Sequence, residues 1–242
     1  STPMAWMGLA GYCFQLYFDF WGYSRMAVGL GHMLGFSLPR NFDHPYAART
    51  MTDFWRRWHI TLGAWFRDYV YIPMGGSRQG MPRTILNLLV VWLLTGIWHG
   101  STWNFLLWGL LIFLLIALEK LGLGPFLERH RKVARVYMLL AIPLTWLLFA
   151  VPDVGQIGIY LTRLFPFFGG GIAVNRGDFL RYGKQFGLFL VLGFLLSSPW
   201  PERIWVRIRS SAVGTAVCLL LFWVAVYYIS VSVNDPFMYF SF

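Results

Sequence analysis

The sequence predicts an all-α, polytopic membrane helix bundle with interfacial amphipathic helices, and three observations predict it. Hydrophobic residues make up 57% of the 242 positions and charged residues 12%, about half the charged share of an ordinary soluble domain. Two stretches, 84–118 and 210–233, contain no Asp, Glu, Lys or Arg. Each is long enough to supply the ~20 apolar residues that cross the hydrocarbon layer as a helix. The 20 Lys and Arg, against 10 Asp and Glu, are gathered in the tracts between such stretches.

Taken in chain order, the run 4–18 is the first apolar segment, short for a span alone but admissible in a bundle whose helices tilt. A basic tract, 40–83, follows with seven Arg; a second occupies 120–135, and Arg203, Arg207 and Arg209 form a third. Short basic loops are retained in the cytoplasm. Both long tracts are therefore expected there, and 84–118 is expected to cross an even number of times. The runs 136–151 and 186–198 are two further short segments, and 210–233 reads as a complete span. Five or six membrane segments result, in a single membrane domain over residues 1–242. The basic excess carries no recognised nucleic-acid motif, so no nucleic-acid partner is expected.

Within the first tract, Thr52-Asp53 offers a helix N-cap and Pro73 a stop, which predicts one helix over 54–72. At 100° per residue Phe54, Trp55, Trp58, Leu62, Trp65, Phe66 and Tyr69 share an arc of roughly 120°. Arg56, Arg57, Arg67 and Asp68 fall opposite, so this helix belongs in the interfacial plane. His59 lies at the border of the two faces, as a structural interface histidine or as a working one. His99 is 16 residues from Arg83 and 20 from Glu119, which is ~24 and ~30 Å of helix. Residues 84–118 form either one long helix with His99 near its middle or a hairpin broken at Gly100-Ser101. Either way an ionisable group lies far from the charged edge, and such groups mark functional sites. Two histidines 40 residues apart suit general base chemistry, because imidazole is neutral near pH 7 when buried. A neutral imidazole can take a hydroxyl proton while that oxygen attacks an activated acyl group.

Other chemistries find little support. There is no HExxH, no GxSxG and no close carboxylate pair, against zinc peptidase, serine hydrolase and glycosidase. No metal site and no bound cofactor are expected. Cys13 and Cys218 read as two buried small hydrophobes. Gly75-Gly76 and Gly169-Gly170-Gly171 lack a phosphate-loop context and read as turns.

The blocks DFWRRWHITL (53–62), WFRDYVYIPMGGSR (65–78) and GIWHGSTWNFLLWG (96–109) resemble the signature of the membrane-bound O-acyltransferases. YFDFWGYSRMA (17–27), NFDHPY (41–46) and NDPFMYFSF (234–242) match further blocks in order. The likeness is strongest to the bacterial alginate O-acetyltransferase branch. It implies a multi-pass enzyme of the bacterial inner membrane, surrounded by membrane lipid. Such an enzyme moves acetyl, typically from acetyl-CoA, toward an exported polysaccharide or a periplasmic or extracellular acetyl-transfer partner protein. By the family pattern His99 is the essential histidine, and His59 occupies an upstream polar position that is Asn or Asp in other branches. Arg56 and Arg57 are then available to the phosphates of CoA, with Asp53 and Asn104 as further substrate-binding side chains. Family members are longer, so the chain is expected to be a C-terminal part whose missing N-terminal spans complete the site. Expected to stand unpaired without them are His99, Thr102 and Asn104. A D-alanyl-transfer branch acting on teichoic acid is the alternative enzyme, disfavoured by the Gly75-Gly76 turn. A non-catalytic transporter or scaffold is the alternative class, disfavoured by the lack of visible inverted repeats.

Overall fold

The computed structural model describes residues 1–168 and 177–231, which are all-α. The glycine turn at 169–171 and the block 234–242 lie outside the described residues. Among the described residues five helices are long and apolar enough to cross a membrane: Gly80–His99, Trp103–Arg129, Arg131–Ala150, Asp178–Leu196 and Ala212–Val231.

Helix α1 (Thr2–Met33) opens with Pro in its first turn and absorbs the run 4–18 into 32 residues, ~48 Å of helix. Two short helices follow, α2 (Met51–Arg57) and α3 (Ile60–Phe66), the second continued by a π-turn at Arg67–Tyr71. The single helix expected over 54–72 is thus corrected to two. Trp58 is extended (φ −102°, ψ 128°) and His59 is left-handed (φ 47°, ψ 53°). The aromatic periodicity runs on through the break, so it gave no sign of it. The cap also moves, because the Thr50 hydroxyl accepts from Asp53 N at 3.0 Å.

The antiparallel pair α4 (Gly80–His99) and α5 (Trp103–Leu118) resolves the 84–118 alternative as a hairpin turning at Gly100. Helices in lipid gain little from hydrophobicity and associate by close packing, which here depends on Gly96 and Gly109. A Cβ on Gly96 would stand 2.7 Å from the Phe105 carbonyl oxygen, and one on Gly109 would run into that of Trp92. This register sets Arg83 level with Leu118, bringing the two basic tracts to one end of the hairpin. A π-turn (Glu119–Leu123) and α6 (Gly124–Arg129) lead into α7 (Arg131–Ala150). α7 runs back until Phe149 meets the His99 ring at 5.4 Å.

The core lies between α1, α2, α5 and α7, where Tyr17, Phe54, Trp108, Ile112 and Trp146 are fully buried. Its edge-on and stacked ring contacts, such as Phe54 with Trp58 at 5.6 Å, are each worth roughly 0.5–1.5 kcal/mol beyond burial. At its base Glu119 is buried and accepts from Met51 N, Thr52 N (2.9 Å), Thr52 Oγ1 (2.6 Å) and Tyr137 OH (3.1 Å). A carboxylate on the free amides of a helix start is favourable, so Glu119 pins the entrance of α2 to the end of α5.

Helix α8 (Val154–Leu164) straps the start of α1 through Tyr160 OH to Ala5 O at 2.8 Å and Trp6 Nε1 to Leu164 O at 3.2 Å. Helices α9 (Asp178–Leu196), α10 (Trp200–Ile208) and α11 (Ala212–Val231) lie outside the core. Only Gly193 of α9 and Gly214 of α11 are buried, the pattern of helices that face lipid. Cys13 is buried as expected, whereas Cys218, on α11, is exposed; the apolar run alone could not tell a core face from a lipid face.

Candidate active site

The break between α2 and α3 delivers His59 to the end of α4 that carries His99. Both side chains line one apolar cavity of about 240 Å³. His99 is the last residue of α4, half-buried, with its ring against Trp98 (4.8 Å), Trp108 (4.8 Å) and Phe149 (5.4 Å). Its Nδ1 is 2.8 Å from Thr95 O. A carbonyl only accepts, so Nδ1 carries the proton and Nε2 keeps a lone pair.

His59 reaches the same tautomer by a different route. Its Nδ1 is 3.2 Å from Asn41 Oδ1, which also accepts from Thr61 N (3.2 Å) and Thr61 Oγ1 (2.8 Å). The backbone N–H of Thr61 identifies that atom as oxygen, so His59 Nδ1 donates to it. The ring stands edge-on to Phe20 at 4.7 Å. His59 lies outside the membrane-spanning helices, and burial, aided by the neighbouring His99, pushes its pKa down to about 4. It is neutral near pH 7.

The cavity is elongated. His59 lies level with Trp98, 6.3 Å ring to ring, while the turn after the π-segment lies level with Asn87, whose amide donates to Met74 O (3.3 Å) and Gly76 O (2.9 Å). Between those levels α4 rises about 16 Å, with Leu88, Trp92 and Thr95 along the wall. Arg67 and Tyr71 complete the lining at the outer end. Arg67 is exposed and paired with Asp68 (2.7 and 3.0 Å), and the guanidinium holds that carboxyl below the usual range. In the single helix expected over 54–72 Arg67 falls opposite the aromatic arc and Tyr71 has no role; the break at His59 changes that register.

The remaining candidates do not join this cavity. Asp53, Arg56 and Arg57 line a separate polar cleft of about 660 Å³ behind α2, together with Arg49, Glu119 and Lys120. Asp53 is held there by Arg57 at 2.9 Å. Asn104 is fully buried and donates to Leu148 O (3.1 Å) and Phe149 O (3.3 Å), while its Oδ1 accepts from Thr102 Oγ1 at 2.6 Å. The expectation that His99, Thr102 and Asn104 stand unpaired is overturned: His99 bonds the Thr95 carbonyl of its own helix, Thr102 bonds Asn104, and Asn104 bonds the end of α7. Asn104 joins α5 to α7 rather than facing the space beside His99. Gly75 (φ 101°) and Gly76 (φ 57°) form the expected turn.

The site can therefore hold an elongated apolar group with two imidazoles at its inner end. Over its whole length the chain is 34% identical to the probable alginate O-acetylase AlgI of Pseudomonas putida, covering 54% of that protein. It is 50% identical over 111 residues to the peptidoglycan O-acetyltransferase of Helicobacter pylori, which is 46% of this chain and 21% of that one. With the teichoic acid D-alanyltransferase of Bacillus subtilis it shares 35% over 107 residues, 41% of this chain and 27% of that one. The chain thus spans about half the length of the Pseudomonas relative and smaller shares of the other two. Residues 1–151, which contain both histidines and the whole cavity, match the model of the MBOAT, membrane-bound O-acyltransferase family, and this multi-pass membrane chain belongs to that family.

Proposed function

We propose that the chain carries the histidine-bearing part of an O-acetyltransferase of the bacterial inner membrane, working as one membrane domain with further spans of the whole protein. It moves acetyl from a cytoplasmic thioester, acetyl-CoA, to a hydroxyl on an exported polysaccharide or on a periplasmic acetyl-transfer protein. The observation that carries this reading is the pair of imidazoles, each with Nδ1 committed to an acceptor, at the inner end of one apolar cavity. His99 Nε2 takes the acceptor's hydroxyl proton as its oxygen attacks the thioester carbonyl carbon. The tetrahedral intermediate expels the thiolate, which recovers the proton from the imidazolium, leaving acetyl ester, free thiol and neutral His99. His59 Nε2 orients the reacting groups from the facing wall.

The outer end, beside Arg67 and Tyr71, is where the charged part of the donor enters, with its acyl arm laid along the ~16 Å slot. Arg56 and Arg57, in the neighbouring cleft, steer an anionic donor toward that mouth. The acetyl donor is preferred to a D-alanyl one because the alginate-type relative aligns with the whole chain and the D-alanyl relative with 41% of it.

The test is His99→Ala in the full-length protein, assayed for transfer of labelled acetyl to the envelope polymer. A lost general base typically lowers rate by about 10²–10⁴-fold, with membrane insertion unchanged. A variant that still transfers acetyl at the wild-type rate overturns the assignment.

A further inference from the structure

We propose that Asn41 is the positioning residue for His59: its side-chain oxygen fixes the tautomer and the left-handed backbone that present Nε2 to the cavity. This rests on the acyl-transfer reading of the histidine pair. Asn41 lies in the connection between α1 and α2, 18 residues from His59 in sequence. It nevertheless grips the α2–α3 break through four hydrogen bonds. Oδ1 accepts from His59 Nδ1 (3.2 Å), Thr61 N (3.2 Å) and Thr61 Oγ1 (2.8 Å), and the Asn41 backbone carbonyl accepts from Ile60 N at 2.9 Å. Two residues on, Asp43 N donates to Arg57 O at 3.0 Å, closing the brace on the α2 side.

The brace is needed because the conformation is unfavourable. A left-handed residue with a Cβ is sterically disfavoured, and the first N–H groups of α3 need acceptors from outside the helix. Asn41 satisfies two of them, Ile60 N and Thr61 N, and binds the imidazole with the same oxygen that takes Thr61 N. Orientation and tautomer of His59 are therefore set together by one side chain. An imidazole not so held would rotate or carry its proton on Nε2, where it could donate to a reacting oxygen but not accept from it.

Of the titratable and charged groups facing His59, His99, Arg67 and Tyr71 share its cavity, and Asp43 and Arg57 lie in the brace before α2; α1 meets the ring with the uncharged Phe20. A carboxylate at position 41 would keep every acceptor and add a charge that favours imidazolium.

The experiment uses the full-length protein in membranes, with acetyl-transfer rate followed against pH for Asn41→Asp and Asn41→Ala. Asn41→Ala is expected to lower kcat by about 10- to 100-fold, the range found when the hydrogen-bond partner that orients a metal-bound histidine is removed, with KM little changed. Asn41→Asp is expected to retain activity at pH 8 while the acid limb of its profile moves up by about one unit or more. Wild-type kcat in Asn41→Ala overturns the proposal. An Asn41→Asp profile with an unshifted acid limb, or one as inactive as Ala at every pH, overturns it equally. If Asn41→Ala fails to insert, the Asn41→Asp profile decides alone. An active His99→Ala variant would remove the underlying acyl-transfer reading, whereas inactive His99→Ala beside an unaffected Asn41→Ala would remove the Asn41 role alone.

Discussion

His59 is the residue at which backbone, proton and cavity meet, and its neutrality has a thermodynamic signature. Burial and the neighbouring His99 lower its pKa to about 4 in the fold, while an unfolded histidine titrates near 6.5. Above pH 6.5 neither state binds the proton and stability is unaffected. As pH falls from 6.5 toward 4 the unfolded chain takes up a proton that the folded one refuses, so stability is lost across that window. Below 4 both are protonated and the loss is complete. At pH 5 the penalty is on the order of 1–2 kcal/mol. His59→Asn removes the titration while keeping a donor for Asn41, and Asn tolerates the left-handed region better than most residues. Thermal unfolding of the full-length protein in detergent should show a smaller drop between pH 7 and pH 5 in the variant than in the wild type. Equal drops would mean that His59 is not held neutral.

At the scale of elements, the α4–α5 hairpin carries His99, and its arms touch backbone to backbone. A methyl at Gly96 would press on the Phe105 carbonyl, and a backbone contact cannot rotate away. Gly96→Val should therefore splay the hairpin, lower the unfolding midpoint and abolish transfer. Gly187→Ala, on α9 with nothing within 4 Å, should be neutral or slightly stabilising, as alanine is the better helix former by roughly 1 kcal/mol. Comparable losses in both would show that the hairpin contact is not special. The same elements explain what could be read beforehand. Long charge-free stretches announced the spans, because lipid enforces apolarity along every exposed face, and the depth of His99 followed from its distance to Arg83. The break at His59 was hidden, because the aromatic spacing of Phe54, Trp58 and Trp65 continues across it. What makes the break is a side chain 18 residues upstream. Glu119 was hidden for a related reason: its partners, Met51 and Thr52, are 68 and 67 residues away. The separation of Arg56 and Arg57 from the histidines follows from the turn of α2, which sends Phe54 and Trp58 into the core and the arginines behind it.

Over the whole molecule, length and register together constrain topology. Helices α4 and α7 are each 20 residues, ~30 Å, the thickness of the hydrocarbon layer. The hairpin register places Arg83 beside the end of α5, and α7 starts from that same end before returning to His99 at Phe149. The loop around Ser77 and the start of α7 at Lys132 must then lie on one side of the membrane, with the histidine pair displaced toward the other. By the retention of basic loops, that side is expected to be the cytoplasm. This arrangement suits a donor entering beside Arg67 and an acceptor arriving from the opposite face. Single cysteines at Ser77→Cys and Lys132→Cys, both exposed positions, test it in full-length protein without other cysteines. An impermeant maleimide should miss both in intact cells and label both in inverted vesicles. Labelling of both from outside would invert the orientation while keeping the hairpin. Labelling from opposite sides would break the hairpin itself, and with it the shared cavity of His59 and His99.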